Sequence, residues 1–206
     1  VRDRIALIDY GAGNLRSVEN ALRAAGAGAI DVTADPNAVR TADRVVLPGV
    51  GAFAACMGAL SAIDGMIAAM DEAVHGRGMP FLGICVGMQL LADAGHEYGR
   101  HAGLGWIGGD VRLMRPHDPA LKIPHMGWND VRPSRPHPLI VPGEAYYLHS
   151  YAFEVSDPAD VLALTEHGAP VTAAVGRDNV VGVQFHPEKS QAYGLAFLEK
   201  FLAWRP

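Results

Sequence analysis

The stretch from Met79 to Leu91 constrains this chain more than any other: an apolar run through Phe81 and Leu82, then Gly83-Ile84-Cys85-Val86-Gly87-Met88-Gln89. Phe81 to Ile84 suits a short buried strand, and Met88 to Ala92 are helix formers that follow with no linker. Cys85 therefore stands at the corner between the two. A reversal that tight crowds the residues two before and two after it, and both are glycine, Gly83 and Gly87. The pattern is the cysteine counterpart of the Gly-x-Ser-x-Gly nucleophile elbow. Unpaired N–H groups and the positive helix end beside the sulfur would favour thiolate over thiol and offer the Val86 N–H to an oxyanion. A cysteine in an apolar run is more often a small buried hydrophobe, so catalysis requires partners elsewhere in the chain.

Those partners depend on the fold. Arg4 to Asp9 reads as a first strand, and Asn14 can cap a helix that places Leu15, Val18, Leu22 and Ala25 on one face. The intervening Tyr10-Gly11-Ala12-Gly13-Asn14 starts like a dinucleotide fingerprint, but Arg16 occupies the third glycine's place and no Walker lysine follows. Arg44 to Leu47 is another strand, ending in the glycine-rich turn Pro48-Gly49-Val50-Gly51. Ile63, Ile67, Met70 and Val74 mark one helix face. After Gly103 the pattern becomes short strand-like runs, Val111 to Met114, Tyr146 to Val155, Val161 to Thr165 and Pro170 to Val175. Asn179 to Phe185 is a final strand, and Ser190 can cap a last helix facing the core with Tyr193, Phe197, Phe201 and Trp204. The expected fold is α/β: a mostly parallel sheet with helices on both faces and a partly antiparallel extension. In such sheets ligands bind at the carboxyl ends of strands, where Pro48, Cys85 and the turn after Phe185 all lie.

Composition narrows the function. With 206 residues, half of them hydrophobic, the chain suits a single domain over 1–206. A net charge of −5 and the absence of a basic run interleaved with aromatics argue against nucleic acid as a partner. The opening, Val1 to Arg4, leads into Ile5 to Ile8, an apolar run too short for a signal core or a membrane span. A cytoplasmic protein with no membrane partner is expected. Cys56 and Cys85 are the two cysteines, with no metal-like pairing. Cys56, among small residues, reads as core. None of the nine histidines has zinc spacing, so no metal is expected.

The turn after the final strand reads Gln184-Phe185-His186-Pro187-Glu188. A cysteine nucleophile needs a base, and the base needs an acceptor that fixes its tautomer and orientation. Cys85, His186 and Glu188 supply those roles. Full ionisation of a thiol of pKa about 8.5 gains about 2 kcal/mol at neutral pH, whereas one oxyanion donor is worth about 2.7 to 4 kcal/mol. A second donor at Gly49-Val50-Gly51 would therefore control activity at least as strongly as thiol ionisation. The glycine-flanked Gly49-Val50 peptide turns easily, and we expect it to be misaligned in the resting protein.

The Gly-x-Cys-x-Gly elbow and the late His-Pro-Glu resemble the class I, triad-type glutamine amidotransferases, a flavodoxin-like fold, over essentially the whole chain. Four further stretches bring it closest to the glutaminase subunits of imidazole glycerol phosphate synthases. They are Asp9 to Ser17, Pro48 to Gly51, Pro124-His125-Met126-Gly127-Trp128-Asn129, and His186-Pro187-Glu188-Lys189-Ser190. The resemblance implies that Cys85 attacks the glutamine carboxamide, that His186 protonates the departing ammonia, and that His186, oriented by Glu188, then activates water against the thioester. It implies an oxyanion hole at Val50 and Val86, and glutamine contacts at Gly51, Gln89, Glu97, Ser150 and Tyr151. The residues around Glu97 are less acidic than in the family, and Val86 stands where leucine is common. A (βα)8-barrel cyclase would be the partner that receives the ammonia, meeting Asn14, Met126, Trp128 and Lys189, and no cofactor is implied. For Met126 and Trp128 core packing is the competing reading. Other readings of the triad are a glutaminase serving pyridoxal phosphate or anthranilate synthesis, a thiol peptidase, or a binding module of the same fold.

Overall fold

The computed structural model describes residues 3–118 and 120–206; Val1 and Arg2, part of the charged opening, lie outside them. In chain order the elements are β1 (Arg4–Ile8), α1 (Leu15–Ala24), β2 (Ala29–Thr33), α2 (Pro36–Arg40), β3 (Arg44–Gly49), α3 (Phe53–Ser61) and α4 (Met66–Asp71). Then come β4 (Phe81–Cys85), α5 (Val86–Gln89), β5 (Ala94–Gly95), β6 (His101–Ala102), β7 (Gly109–Leu113), β8 (His125–Pro133) and β9 (Gly143–His149). The chain finishes with β10 (Tyr151–Val155), β11 (Val161–Glu166), β12 (Pro170–Arg177), β13 (Val180–Val183) and α6 (Gln191–Ala203).

Among the described residues the main sheet has nine strands in the order β2-β1-β3-β4-β13-β12-β11-β8-β9. From β2 to β13 the pairs are parallel; from β12 onward they are antiparallel. The expected mixture of a parallel sheet with an antiparallel extension is therefore present. The chain crosses from β1 to β2 in one direction, then back past β1 to β3 and on to β4 in the other, and with right-handed crossovers the helices fall on opposite faces. Consistent with this, α1 packs on α6, and α2 packs on α4. The parallel strands are buried runs, with every residue of β3, β4 and β13 inside, as strands covered on both faces must be.

Several expectations are corrected. The strand at Arg44 does not stop at Leu47: Pro48 and Gly49 pair with Ile84 and Cys85, so the turn begins only at Val50. The helix after the elbow is a single turn, Val86–Gln89, because Leu90 to Ala92 bend away toward the small strands. Ile63 precedes α4, whose inner face is Met66, Ala69 and Met70; a wider π turn at Glu72–Gly76 then carries Ala73 and Val74 inward. Tyr146 to Val155 is two strands rather than one. It breaks at Ser150, and β10 joins a second, four-stranded sheet, β10-β7-β5-β6, that the sequence did not indicate. Strands β2 and β8 and helix α2 also went unrecognised. Neither Asn14 nor Ser190 makes a side-chain cap bond, although both stand at helix starts. On α6, Phe197 and Phe201 are buried; Trp204 is buried just beyond the helix end, and Tyr193 only partly.

Candidate active site

Cys85 ends β4 with φ 54° and ψ −111°, a conformation that costs a non-glycine residue about 1–3 kcal/mol and is retained only where surrounding packing enforces it. The enforcement is backbone against backbone. A Cβ on Gly83 would lie 2.6 Å from the Gly87 carbonyl oxygen, and one on Gly87 would lie 1.9 Å from that of Leu47. No side chain fits at either place, so β3, β4 and α5 close on one another and turn the sulfur toward the carboxyl ends of the strands. Val86 opens α5, and its N–H has no acceptor within that helix.

β13 runs parallel beside β4 in a register that pairs Val183 with Ile84, and the chain then brings His186 to the cavity that Cys85 faces. His186 Nδ1 lies 2.8 Å from Glu188 Oε1, and the side chains of both are almost wholly buried. Burial alone would lower the imidazole pKa. Hydrogen bonds and charge from Cys85 and then Glu188 outweigh that and hold it up to about 9. The arrangement favours an imidazolium facing the sulfur. Ser190, expected as a helix cap, instead donates its hydroxyl to the His186 carbonyl (2.6 Å) and accepts the Tyr146 N–H (2.9 Å). The His186 carbonyl also accepts the Lys189 N–H (3.0 Å), and the buried hydroxyl ties the His186 turn to β9.

Cys85 and His186 open onto a cavity of about 340 Å³ whose lining also includes Val50, Gly51, Val86, Gln89, Glu97, Ser150, Tyr151 and Lys189. Every residue expected to contact glutamine or an oxyanion thus borders the same space. A larger cavity, about 630 Å³, lies among β7, β10 and β12 and contains none of the triad. Glu97 Oε2 accepts the Phe53 N–H at the start of α3 (3.0 Å). The loop at Val50 is anchored on both sides. The Tyr10 hydroxyl donates to the Pro48 carbonyl (2.7 Å), and the Cys56 thiol donates to the Val50 carbonyl (3.3 Å). Cys56 is buried as expected, and burial pushes its thiol pKa up.

Two groups escaped the sequence reading. Gln89 Nε2 donates to the Tyr151 carbonyl (3.1 Å) and to Gln184 Oε1 (2.9 Å), which leaves Gln184 Nε2 facing the Cys85 sulfur at 3.6 Å. The second is a chain of buried imidazoles. The Tyr151 carbonyl can only accept, so His149 Nδ1 carries the proton in their 2.9 Å contact. His149 Nε2 then accepts from His125 Nδ1 (3.0 Å), and His125 Nε2 accepts from the Asn129 amide (3.0 Å). Burial, with smaller contributions from neighbouring histidines, lowers the pKa of His125 to about 4 and of His149 to about 3. Their signal was present in Pro124 to Asn129 and in His149-Ser150-Tyr151, but only pairing of β8 with β9 sets His125 opposite His149.

The residues expected at a partner surface are not in the core. Met126 is 61% and Trp128 47% exposed, and Lys189 is exposed with its ammonium 5.8 Å from the Tyr146 ring centroid, while Asn14 is partly buried. The alternating exposure of β8 turns Met126 and Trp128 outward while His125 points in. Among the described residues no three His, Cys, Asp or Glu side chains are grouped to hold a metal ion, and no single helix is long and apolar enough to cross a membrane.

Residues 6–203 match the family described as glutamine amidotransferase class-I. Over 205 residues the chain is 64% identical to the imidazole glycerol phosphate synthase subunit HisH of Zymomonas mobilis, covering 98% of this chain and 96% of that one. It is 58% identical to the subunit of the same name from Rhodospirillum rubrum over 213 residues, covering 98% and 100% of the two chains. Among solved structures, that of PurLQS from Thermotoga maritima shares the fold with a TM-score of 0.74 at 18% identity, covering 98% of this chain and 99% of that one.

Proposed function

This chain belongs to the class-I glutamine amidotransferase family, and from that membership we propose the roles that its residues take in releasing ammonia. Its function is that of the glutamine-hydrolysing subunit of imidazole glycerol phosphate synthase, in histidine biosynthesis. The observation that carries the residue assignment is the buried His186, held through Nδ1 by Glu188 at 2.8 Å and opening with Cys85 onto one cavity. The Cys85 thiolate attacks the carboxamide carbon, and the His186 imidazolium gives its proton to the departing nitrogen. A glutamyl thioester remains. Neutral His186 then takes a proton from water, whose oxygen attacks the thioester; glutamate leaves and the sulfur is restored as its thiolate. Glu188 holds Nδ1 throughout, so Nε2 faces the chemistry.

The Val86 N–H and the Val50 N–H receive the oxyanion, while Gly51, Gln89, Glu97, Ser150 and Tyr151 hold the glutamine. The anchors at the Pro48 and Val50 carbonyls flank the Gly49-Val50 peptide, which leaves that peptide as the unit whose rotation brings the Val50 N–H to bear. Val50→Pro removes this N–H and should lower partner-stimulated turnover about a hundredfold or more; unchanged stimulated turnover in the folded variant would contradict the assignment.

Ammonia in water is largely protonated and no longer a nucleophile, so it passes to the partner subunit of the synthase. We identify that subunit as a (βα)8-barrel cyclase seated against Asn14, Met126, Trp128 and Lys189. We read 1–206 as one amidotransferase domain, its first strand and last helix sharing a single core cluster, and place it in the cytoplasm, where two buried free thiols stay reduced. The test is glutamate release from glutamine by the purified chain, alone and with the cyclase subunit and its nucleotide substrate. Low turnover alone, a large stimulation with the partner, and loss of both in Cys85→Ala are expected. Absence of Cys85-dependent turnover under either condition would overturn the reading.

A further inference from the structure

Gln184 is wholly buried at the end of β13, and the reaction described above makes no use of it. Its backbone N–H is already committed to the Ala173 carbonyl (2.9 Å), so its side chain is not needed to complete the sheet. A primary amide in such a place is costly unless its polar atoms find partners. Its carbonyl oxygen accepts from Gln89, whose amide nitrogen is fixed in direction because it also donates to the Tyr151 carbonyl. A flipped Gln184 amide would set two nitrogen donors against each other. The donor end of Gln184 is therefore aimed at the Cys85 sulfur, 3.6 Å away, by a chain of contacts that begins at the wall of the glutamine cavity.

We propose that Gln184 is a further catalytic residue, donating a side-chain N–H to the Cys85 sulfur so as to stabilise the thiolate and fix the direction from which it attacks. The proposal rests on the reading of Cys85 as the nucleophile. Before attack the thiol proton resides on His186 and the sulfur carries the charge that the amide dipole faces. Hydrogen bonds to a charged acceptor are about twice as strong as neutral ones, so the contact favours thiolate over thiol. The gain is limited by the chemistry itself. Lowering a thiol pKa by about one unit raises the thiolate fraction about tenfold below that pKa, but costs about threefold in intrinsic nucleophilicity. With the proton already on His186, the catalytic advantage lies in the fixed direction of attack rather than in a larger thiolate fraction. Other titratable groups near the sulfur are His186, with Glu188 behind it, and Tyr10 and Cys56, both kept protonated by burial. Tyr10 and Cys56 spend their protons on the Pro48 and Val50 carbonyls, whereas Gln184, which does not titrate, directs its donor to the sulfur.

The experiment is the pH dependence of Cys85 alkylation by iodoacetamide in the full chain, read by mass at Cys85, for the native protein and for Gln184→Met, which keeps the volume and removes the donor. The apparent pKa of alkylation should rise by about one unit, and kcat with the cyclase subunit should fall about threefold or more as the direction of attack loosens. In the unaltered chain, the side-chain amide resonance of Gln184 should move with the same apparent pKa, and that movement should vanish in Cys85→Ala. This second measurement decides the matter if Gln184→Met does not fold. Superimposable alkylation profiles, or an amide resonance indifferent to the state of Cys85, would overturn the proposal. Should that happen while the native complex still turns over glutamine through Cys85, only the role of Gln184 is lost; if Cys85-dependent turnover is itself missing, both fall.

Discussion

At the scale of single residues, the pair formed by Cys85 and His186 sets the proton inventory of the site. Sulfur contact and charge, followed by those of Glu188, raise the His186 pKa to about 9 against the opposing pull of burial. Removing the sulfur removes the larger of these supports. In Cys85→Ala the His186 titration, followed by imidazole resonances, should therefore move below its native value; a titration unchanged by the substitution would show that Glu188 alone holds the proton. The elbow and the His186–Glu188 contact were legible in the sequence, since Gly83, Cys85, Gly87, His186 and Glu188 stand in runs whose chemistry is local. Gln184 and Ser190 were not. Each is an ordinary polar residue whose role depends on a contact with a distant element: Gln184 with Gln89 and Cys85, Ser190 with Tyr146.

At the scale of elements, β8 joins two surfaces. Its outward residues Met126 and Trp128 are exposed, and its inward His125 reaches the wall of the cavity at Cys85 through His149 and the Tyr151 carbonyl. Both imidazoles fold in their neutral form with lowered pKa values, about 4 and about 3, so between those values and about 6.5 the unfolded chain binds more protons than the folded one. Stability should therefore fall as pH drops below about 6.5, by about 2 kcal/mol at pH 5 for each proton taken up on unfolding. His186 acts in the opposite sense: its raised pKa contributes stability that is full below about 6.5 and lost as pH rises through about 9. Urea midpoints measured from pH 5 to 9 should pass through a maximum near neutrality. A midpoint that does not fall between pH 6.5 and 5 would refute the neutral-histidine assignment.

At the scale of the whole molecule, Arg44 closes the fold. It lies in an otherwise apolar strand and is only 1% exposed, yet it donates to the Phe201 and Trp204 carbonyls at 2.8 and 2.9 Å and pairs with Asp3. A guanidinium at the end of α6 adds donors to one carbonyl of the last turn and one just beyond it, and complements the helix dipole. Arg44→Met should cost about 3 kcal/mol, from two charge-assisted bonds of about 1.5 kcal/mol each, without changing the His186 titration; a loss under about 0.5 kcal/mol in urea unfolding would contradict this. The sequence by itself determined the alternation of strand and helix, the parallel half of the sheet, the elbow and the pairing of His186 with Glu188. These follow from periodicity, from glycine at crowded corners and from side-chain chemistry, all carried within a few adjacent residues. Only the tertiary structure decided that Tyr146 to Val155 divides between two sheets, that Met126 and Trp128 face outward, that Arg44 is buried, and that Gln184 points at the sulfur. In each of these cases the deciding partner is far away in the chain, and a group's hydrogen bonds and burial are fixed only when the strands have found their neighbours.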